Sequence, residues 1–242
     1  MNRQKNILCT KYTVEAPIPR NVTFAFLSDL HCYENDPILD CVRTIDPDAV
    51  LVAGDFIHSA HRYADGMEFL RRSAAEYPTF CSVGNHEHLY PGELAADVQE
   101  TGAVLLDNDA VSFRGISIGG LSSVSLGHSL PAKQEVPRPD CEWLRAFSEG
   151  SGYKLLMCHH PEYYEPWIKS LPVDLILSGH AHGGQWRLFG RGLFAPGQGW
   201  LPKYTAGLYD GRLLVSRGIG NMAPVPRIGN PPQIISLTIK SP

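Results

Sequence analysis

LILSGHAHGGQW, residues 175 to 186, is an apolar run that stops at Gly179 and then presents His180 and His182 with one alanine between them. Two more glycines follow. A lone histidine at a loop end is commonly a turn residue, and glycines after a strand commonly mark only the turn. The stretch gains meaning because the chain repeats it in outline.

Four other apolar runs end in the same way. VTFAFLSD (22–29) leads into Asp29 and His31, and AVLVAGD (49–55) into Asp55 and His58. PTFCSVGN (78–85) ends on Asn85, His86 and Glu87, and KLLMCHH (154–160) on His159 and His160. Seven of the ten histidines fall in these five short motifs, too many for five independent turns. Between the runs lie segments of helical character: PILDCVRTI (37–45), ADGMEFLRRSAAEY (64–77), PGELAADVQETG (91–102) and CEWLRAF (141–147). Strands alternating with helices predict an α/β fold, in which ligands bind outside the carboxyl ends of the strands. The five motifs are therefore expected to converge on one site. The glycines turn the backbone there, and the histidines face something shared.

AVLLDN (103–108) and ISIGGLSS (116–123) add short strands. Beyond residue 186 glycine and proline become frequent, and GRLLVSRGI and QIISLTIK are expected to complete a second sheet rather than a second domain. Trp186, Phe189, Phe194 and Trp200 make the loop beyond residue 185 unusually apolar; they are read as core, with the rim of a pocket for an apolar substrate as the alternative and lipid contact left open. Residues 1–242 are expected to form a single domain, with no internal repeat and no linker.

Composition narrows the function. The chain carries 43% hydrophobic and 19% charged residues and a net charge of -4, with no basic stripe. A nucleic-acid partner is not expected. No segment reaches the roughly 20 apolar residues that cross a bilayer. The start, MNRQKNILCTKYTVEA, lacks a signal-peptide core. A cytoplasmic protein is expected, with membrane association left open. The six cysteines form no CxxC pair and read as small buried hydrophobes in a reducing compartment. No HExxH stands on a helix, which removes the zinc proteases of that type.

Imidazole with carboxylate suits divalent transition metals, whereas magnesium and calcium prefer oxygen cages. The donors outnumber the needs of one ion, so two ions are expected: manganese, iron or zinc. Paired ions roughly 3.5–4 Å apart are a recurring device for hydrolysing phosphate esters. Two divalent ions bring four positive charges, and the carboxylates of Asp29 and Asp55 would return two negative ones. The centre stays positive and attracts phosphate.

D-x-H (Asp29, His31), G-D (Gly54, Asp55), G-N-H-E (84–87), H-H-P (159–161) and G-H-A-H (179–182), in this order, resemble the calcineurin-like metallophosphoesterases. The tail pieces KYTAGLY, LLVSRGIGN and RIGNPPQI resemble their bacterial YkuE/YaeI-like branch. The resemblance implies a four-layer αββα sandwich with a di-metal centre at the strand C-terminal edge. It implies a hydrolase for a small phosphorylated substrate, with a metal-bridging hydroxide as nucleophile. Asp55 would serve both ions. Asp29, His31 and His182 would complete one set, and Asn85, His159 and His180 the other. His86 would protonate the leaving group. His160 stands in the variable position of H-x-P and could exchange roles with His159. His58 is a candidate for substrate contact. Glu87 either orients His86 or is a surface carboxylate. A nuclease-type phosphodiesterase and a non-catalytic metal-binding scaffold are the competing readings.

Overall fold

A computed structural model describes residues 7–124, 137–221 and 226–242. In chain order its elements are β1 (Leu8–Glu15), β2 (Val22–Leu27), α1 (Asn35–Ile45), β3 (Ala49–Ala53), α2 (Ala64–Glu76), β4 (Thr79–Ser82), α3 (Leu94–Glu100) and β5 (Val104–Leu106). Then come β6 (Asp109–Phe113), β7 (Ile116–Leu121), α4 (Cys141–Ser148), β8 (Tyr153–Cys158) and β9 (Leu175–Ser178). The last part holds β10 (Arg187–Leu188), β11 (Arg191–Gly192), β12 (Phe194–Ala195), β13 (Gly199–Trp200), β14 (Gly207–Tyr209), β15 (Leu213–Val215) and β16 (Gln233–Lys240).

Two six-stranded sheets carry the fold, ordered β1-β16-β2-β3-β4-β5 and β14-β15-β9-β8-β7-β6. The runs β2-β3-β4-β5 and β7-β8-β9-β15 are parallel. A strand covered on both faces reads as continuous apolar sequence, as AVLVA in β3 does, with all five residues buried. Between the sheets pack Phe24, Phe26, Leu51, Leu155, Met157, Leu177 and Leu237. On the outer face of the first sheet lie α1, α2 and α3, through Ile38, Leu39, Phe69, Leu70 and Val98. On that of the second lie α4 and the turn after β8, through Leu144, Phe147, Tyr163 and Tyr164. The result is the expected four-layer αββα sandwich. Helix α4 begins where it does because the Asp140 carboxylate accepts the backbone N–H groups of Glu142 and Trp143, at 3.1 and 2.9 Å.

Three details differ from the sequence reading. QIISLTIK does not complete the second sheet. As β16 it lies inside the first, parallel to β1 and antiparallel to β2. Strand β1 was not legible, because LCTKYTVE alternates polar and apolar residues as an edge strand does and has no apolar run. The third concerns the aromatic stretch after residue 186. Phe189 and Trp200 are exposed, not core, because β10–β11 and β12–β13 form separate two-stranded hairpins outside both sheets. The six cysteines are free thiols, but only Cys81 and Cys158 are buried.

Leu237, in the middle of β16, is fully buried between the sheets. Leu237→Ala should cost about 2–5 kcal/mol of unfolding free energy, the usual price of truncating a core leucine. Urea titration of variant and parent measures it.

Candidate metal centre

The five motifs do converge. The first sheet supplies Asp29 and His31 beyond β2, Asp55 beyond β3, and Asn85 and His86 beyond β4. The second supplies His159 beyond β8, and His180 and His182 beyond β9. Asp29, His31, Asp55, His159, His180 and His182 are buried. Ligand atoms of Asp29, His31 and His182 lie within 4.8 Å of one another, as do those of Asp55, His159 and His180. His31, Asp55 and His86 form a third group of the same kind. Asp55 thus belongs to two groups that have no other carboxylate.

The local backbone explains why these residues can crowd together. Asp29, His31, Asp55, His180 and His182 all have positive φ, between 43° and 60°. Such conformations cost free energy in non-glycine residues and persist where the surroundings over-determine them, typically at functional sites. Two glycines allow the close approach. A Cβ on Gly84 would lie 2.3 Å from the Asp55 Oδ1, and one on Gly179 would lie 2.6 Å from the Asp29 Oδ2.

Hydrogen bonds aim the side chains. His159 Nδ1 donates to the carbonyl of Ala53 at 2.8 Å, which turns Nε2 to Asp55 Oδ2 at 3.1 Å. The Asp29 carboxylate accepts the Ser28 hydroxyl at 2.6 Å and the His180 N–H at 3.0 Å. His182 Nε2 lies 3.5 Å from Asp29 Oδ1, and His31 Nε2 lies 3.5 Å from Asp55 Oδ2. His86 N–H donates to Asp55 Oδ1 at 2.9 Å, and His86 Nδ1 donates to the His58 carbonyl at 2.5 Å. The His86 Nε2 is left 4.0 Å from Asp55 Oδ2.

Burial dominates the titration of the imidazoles. It holds His31 and His180 well below the usual histidine range, and His182 down to about 4. Neutral imidazole is the ligating form, so these rings are ready for a cation without losing a proton. His159 goes the other way. Burial would lower it, but the adjacent Asp55 carboxylate raises it to about 10, and the same pairing holds Asp55 well below its ordinary value.

The remaining candidates are placed as follows. His160 packs on His180, with ring centroids 4.2 Å apart, and its Nδ1 is 3.7 Å from Glu162. His159, not His160, touches Asp55. The His58 ring lies 5.7 Å from that of His31 and 5.9 Å from that of His86. Glu87 is buried, so it is no surface carboxylate, and its bonds go to backbone. It accepts the N–H groups of Gly84 at 2.6 Å, Asp55 at 2.8 Å and Ile57 at 3.1 Å, tying the turn after β4 to the turn after β3. Burial and the charge of Asp55 push its carboxyl up to about 8, while the N–H donors pull it down.

Sequence reasoning missed two supports. Asn230 donates from Nδ2 to the His182 carbonyl at 2.7 Å. Arg227 reaches His182 Nδ1 at 3.1 Å and the carbonyls of Arg217 and Gly218 at 2.9 and 3.2 Å. Both residues stand in RIGNPPQI, far from the histidine motifs in sequence, and only the fold brings them there.

The calcineurin-like phosphoesterase family matches residues 22–184. The chain belongs to that family. That family is one of metal-dependent phosphoesterases. An uncharacterised metallophosphoesterase of Campylobacter jejuni is 29% identical over 94% of this chain and 62% of its own length. This chain therefore spans less than two thirds of that relative. YkuE of Bacillus subtilis is 27% identical over 90% of this chain and 77% of its own. The phosphodiesterase YaeI of Escherichia coli is 27% identical over 81% and 74%. Among solved structures, the phosphopantetheinyl hydrolase of Mycobacterium tuberculosis is 14% identical, with TM-score 0.47, covering 83% of this chain and 90% of its own.

Glu87→Gln would turn an amide N–H toward backbone donors. It should destabilise the protein by about 1–3 kcal/mol, the cost of leaving buried donors unpaired. Thermal and urea unfolding read this directly, and no change would mean that the carboxylate is not holding the two turns.

Proposed function

We propose that this chain hydrolyses a small phosphoester or pyrophosphate at a centre of two divalent transition-metal ions. The observation that carries the reading is a set of buried donors with nothing to bind. Both ring nitrogens of His31, Nε2 of His180 and Oδ1 of Asn85 are buried without a hydrogen-bond partner. Such groups are costly unless satisfied, and they line the same small space as Asp29 and Asp55. Their chemistry fits manganese, iron or zinc. Asp55 would be shared. Asp29, His31 and His182 would hold one ion, and Asn85, His159 and His180 the other.

When bound, the ions supply Lewis acidity that activates water and offsets charge on the phosphoryl oxygens. The chain's own part is orientation and proton transfer. His86, with Nδ1 engaged by the His58 carbonyl, presents Nε2 to the centre. Protonated there, it hands a proton to the departing oxygen. His58 borders the same space and would contact substrate. His160 and Glu87 act on the site through His180 and the turns. A net charge of -4 without a basic stripe favours a small substrate over a nucleic acid. We read residues 1–242 as one domain. The free thiols fit a reducing compartment such as the cytoplasm. The activity named for YaeI makes phosphodiesters the first substrates to try.

The test separates binding from chemistry. Protein reconstituted with manganese, zinc or iron should retain about two ions per chain by elemental analysis. His86→Ala should keep that content and lose about 10²–10⁴-fold in kcat. The loss should be larger on an alkyl phosphoester than on a nitrophenyl one, whose leaving group departs with little need of a proton. One ion or fewer would end the two-ion reading. Equal losses on both esters would remove the proton-donor role.

A further inference from the structure

Six of the eight large apolar side chains exposed among the described residues fall between residues 188 and 228: Leu188, Phe189, Trp200, Leu201, Leu208 and Ile228. Scattered apolar side chains on a surface are ordinary, but four of these six, Leu188, Phe189, Trp200 and Leu201, sit on or at the end of two short hairpins. The tip of the β10–β11 hairpin holds Phe189 at 96% exposure. The end of β13 holds Trp200 and Leu201 at 69% and 77%.

These side chains are held out, not merely loose. The Arg187 guanidinium donates to the Gly183 carbonyl at 2.7 Å and to that of Gly190, which locks the first hairpin around its turn. Trp200 is flanked by the rings of Phe194 and Trp186, at 5.6 and 6.4 Å. The Leu201 N–H donates to the Leu193 carbonyl at 2.9 Å. Trp186 and Arg187 pair with Ile228, and Trp186 Nε1 donates to the Pro226 carbonyl at 3.1 Å. Two braced hairpins thus carry aromatic and aliphatic tips clear of the sandwich.

Charge points to the occupant. Residues 186–203, which hold both hairpins, contain three basic residues (Arg187, Arg191 and Lys203) and no acidic one, in a chain whose net charge is -4. The remainder of the chain is therefore acidic. Arg191, exposed, stands two positions from Phe189; Lys203, also exposed, stands two from Leu201 and pairs with the Glu165 carboxylate. Exposed Phe, Trp and Leu beside cations form the pattern of a segment that lies in the headgroup layer of a bilayer. An anionic leaflet attracts such a segment and repels the acidic body, which sets the orientation. No helix of the described residues is long and apolar enough to cross a membrane. The contact would be peripheral.

We propose that the two hairpins, β10–β11 and β12–β13, form a docking surface for anionic lipid bilayers. The surface is rooted at the metal centre. Gly184 packs on Gly192, and the turn bearing His182 runs directly into β10. Docking by the hairpins would therefore place the centre close to the headgroup layer. This inference does not depend on the hydrolytic reading, because the surface is defined by residues outside the centre.

The test uses the full chain with vesicles of phosphatidylcholine alone and of phosphatidylcholine with phosphatidylglycerol, separated by sedimentation. The parent should bind the anionic vesicles and bind the neutral ones weakly. Phe189→Ser with Leu201→Ser should lower the partition by about tenfold or more, given the apolar area removed. Arg191→Glu should weaken binding to anionic vesicles only. Circular dichroism and the thermal midpoint check that the variants stay folded, and both tips are exposed enough for that to be expected. Parent protein that remains in the supernatant with both vesicles overturns the proposal. So does a folded double variant that binds as well as the parent. A third overturning result is a dimer in analytical ultracentrifugation that the double variant dissolves, with no vesicle binding, since the face would then serve self-association.

Discussion

The carboxylate of Asp55 lies 3.1 Å from His159 Nε2 and 3.5 Å from His31 Nε2, at the seam of two sheets, with almost no contact with water. A lone buried carboxylate is expensive, and the cost is tolerated only where positive charge and hydrogen bonds answer it. Here the answer comes from both sides. His159, raised by Asp55 to about 10, offers a positive ring from the second sheet. The His86 N–H offers a bond from the first. A divalent cation would replace the imidazolium charge with its own, so the same carboxylate is answered in either condition. The demand for positive charge at this point is what draws the loops of the two sheets together.

That demand explains the backbone around it. Five of the proposed ligands adopt left-handed conformations that cost free energy residue by residue. The surrounding bonds hold them there. Glu87 ties the turns beyond β3 and β4. The His159–Ala53 bond ties the second sheet to the first. The Asp29 carboxylate accepts the backbone of His180, joining β2 to β9 across the seam. The Asp55–Glu87, His159–Ala53 and His180–Asp29 bonds join residues 32, 106 and 151 positions apart. The centre is therefore rigid before any ion arrives, and rigid donors lose little entropy on ligation.

Much of this was legible in the chain because strand ends advertise themselves. An apolar run cut off by Gly-Asp, Gly-Asn-His or Gly-His gives both the strand and its polar terminus, and the parallel topology converts five termini into one site. The alternation of helices and strands gave the layers through residue 182. What stayed hidden follows a rule as well. β16 is fully apolar on one face, but nothing local tells a strand which of two sheets it joins. That is settled by pairing with β1 and β2 more than 200 residues away. Arg227 and Asn230 are invisible for the same reason, since their partners lie 45 and 48 residues upstream. Glu87 was misjudged because it follows the metal motif in sequence, whereas its three acceptor bonds all serve main chain.

The exposed hairpins show where periodicity misleads. Trp186, Phe189, Phe194 and Trp200 have the composition of a core, and in a long strand or helix they would be one. A two-residue strand has no second layer to bury against, so the same residues end up partly or fully outside. Their exposure separates the molecule into two physical regimes that meet at His182. On one side the polar groups are buried, strained and fixed by hydrogen bonds. On the other, apolar groups are held in water by a frame of arginine and backbone bonds. Both arrangements oppose the ordinary partition of polar outside and apolar inside, and both are stabilised by contacts that serve no purpose for the core. Polar groups kept in and apolar groups kept out, side by side and braced, are what a chain needs to bring a charged centre up to a greasy boundary without placing either in the wrong medium.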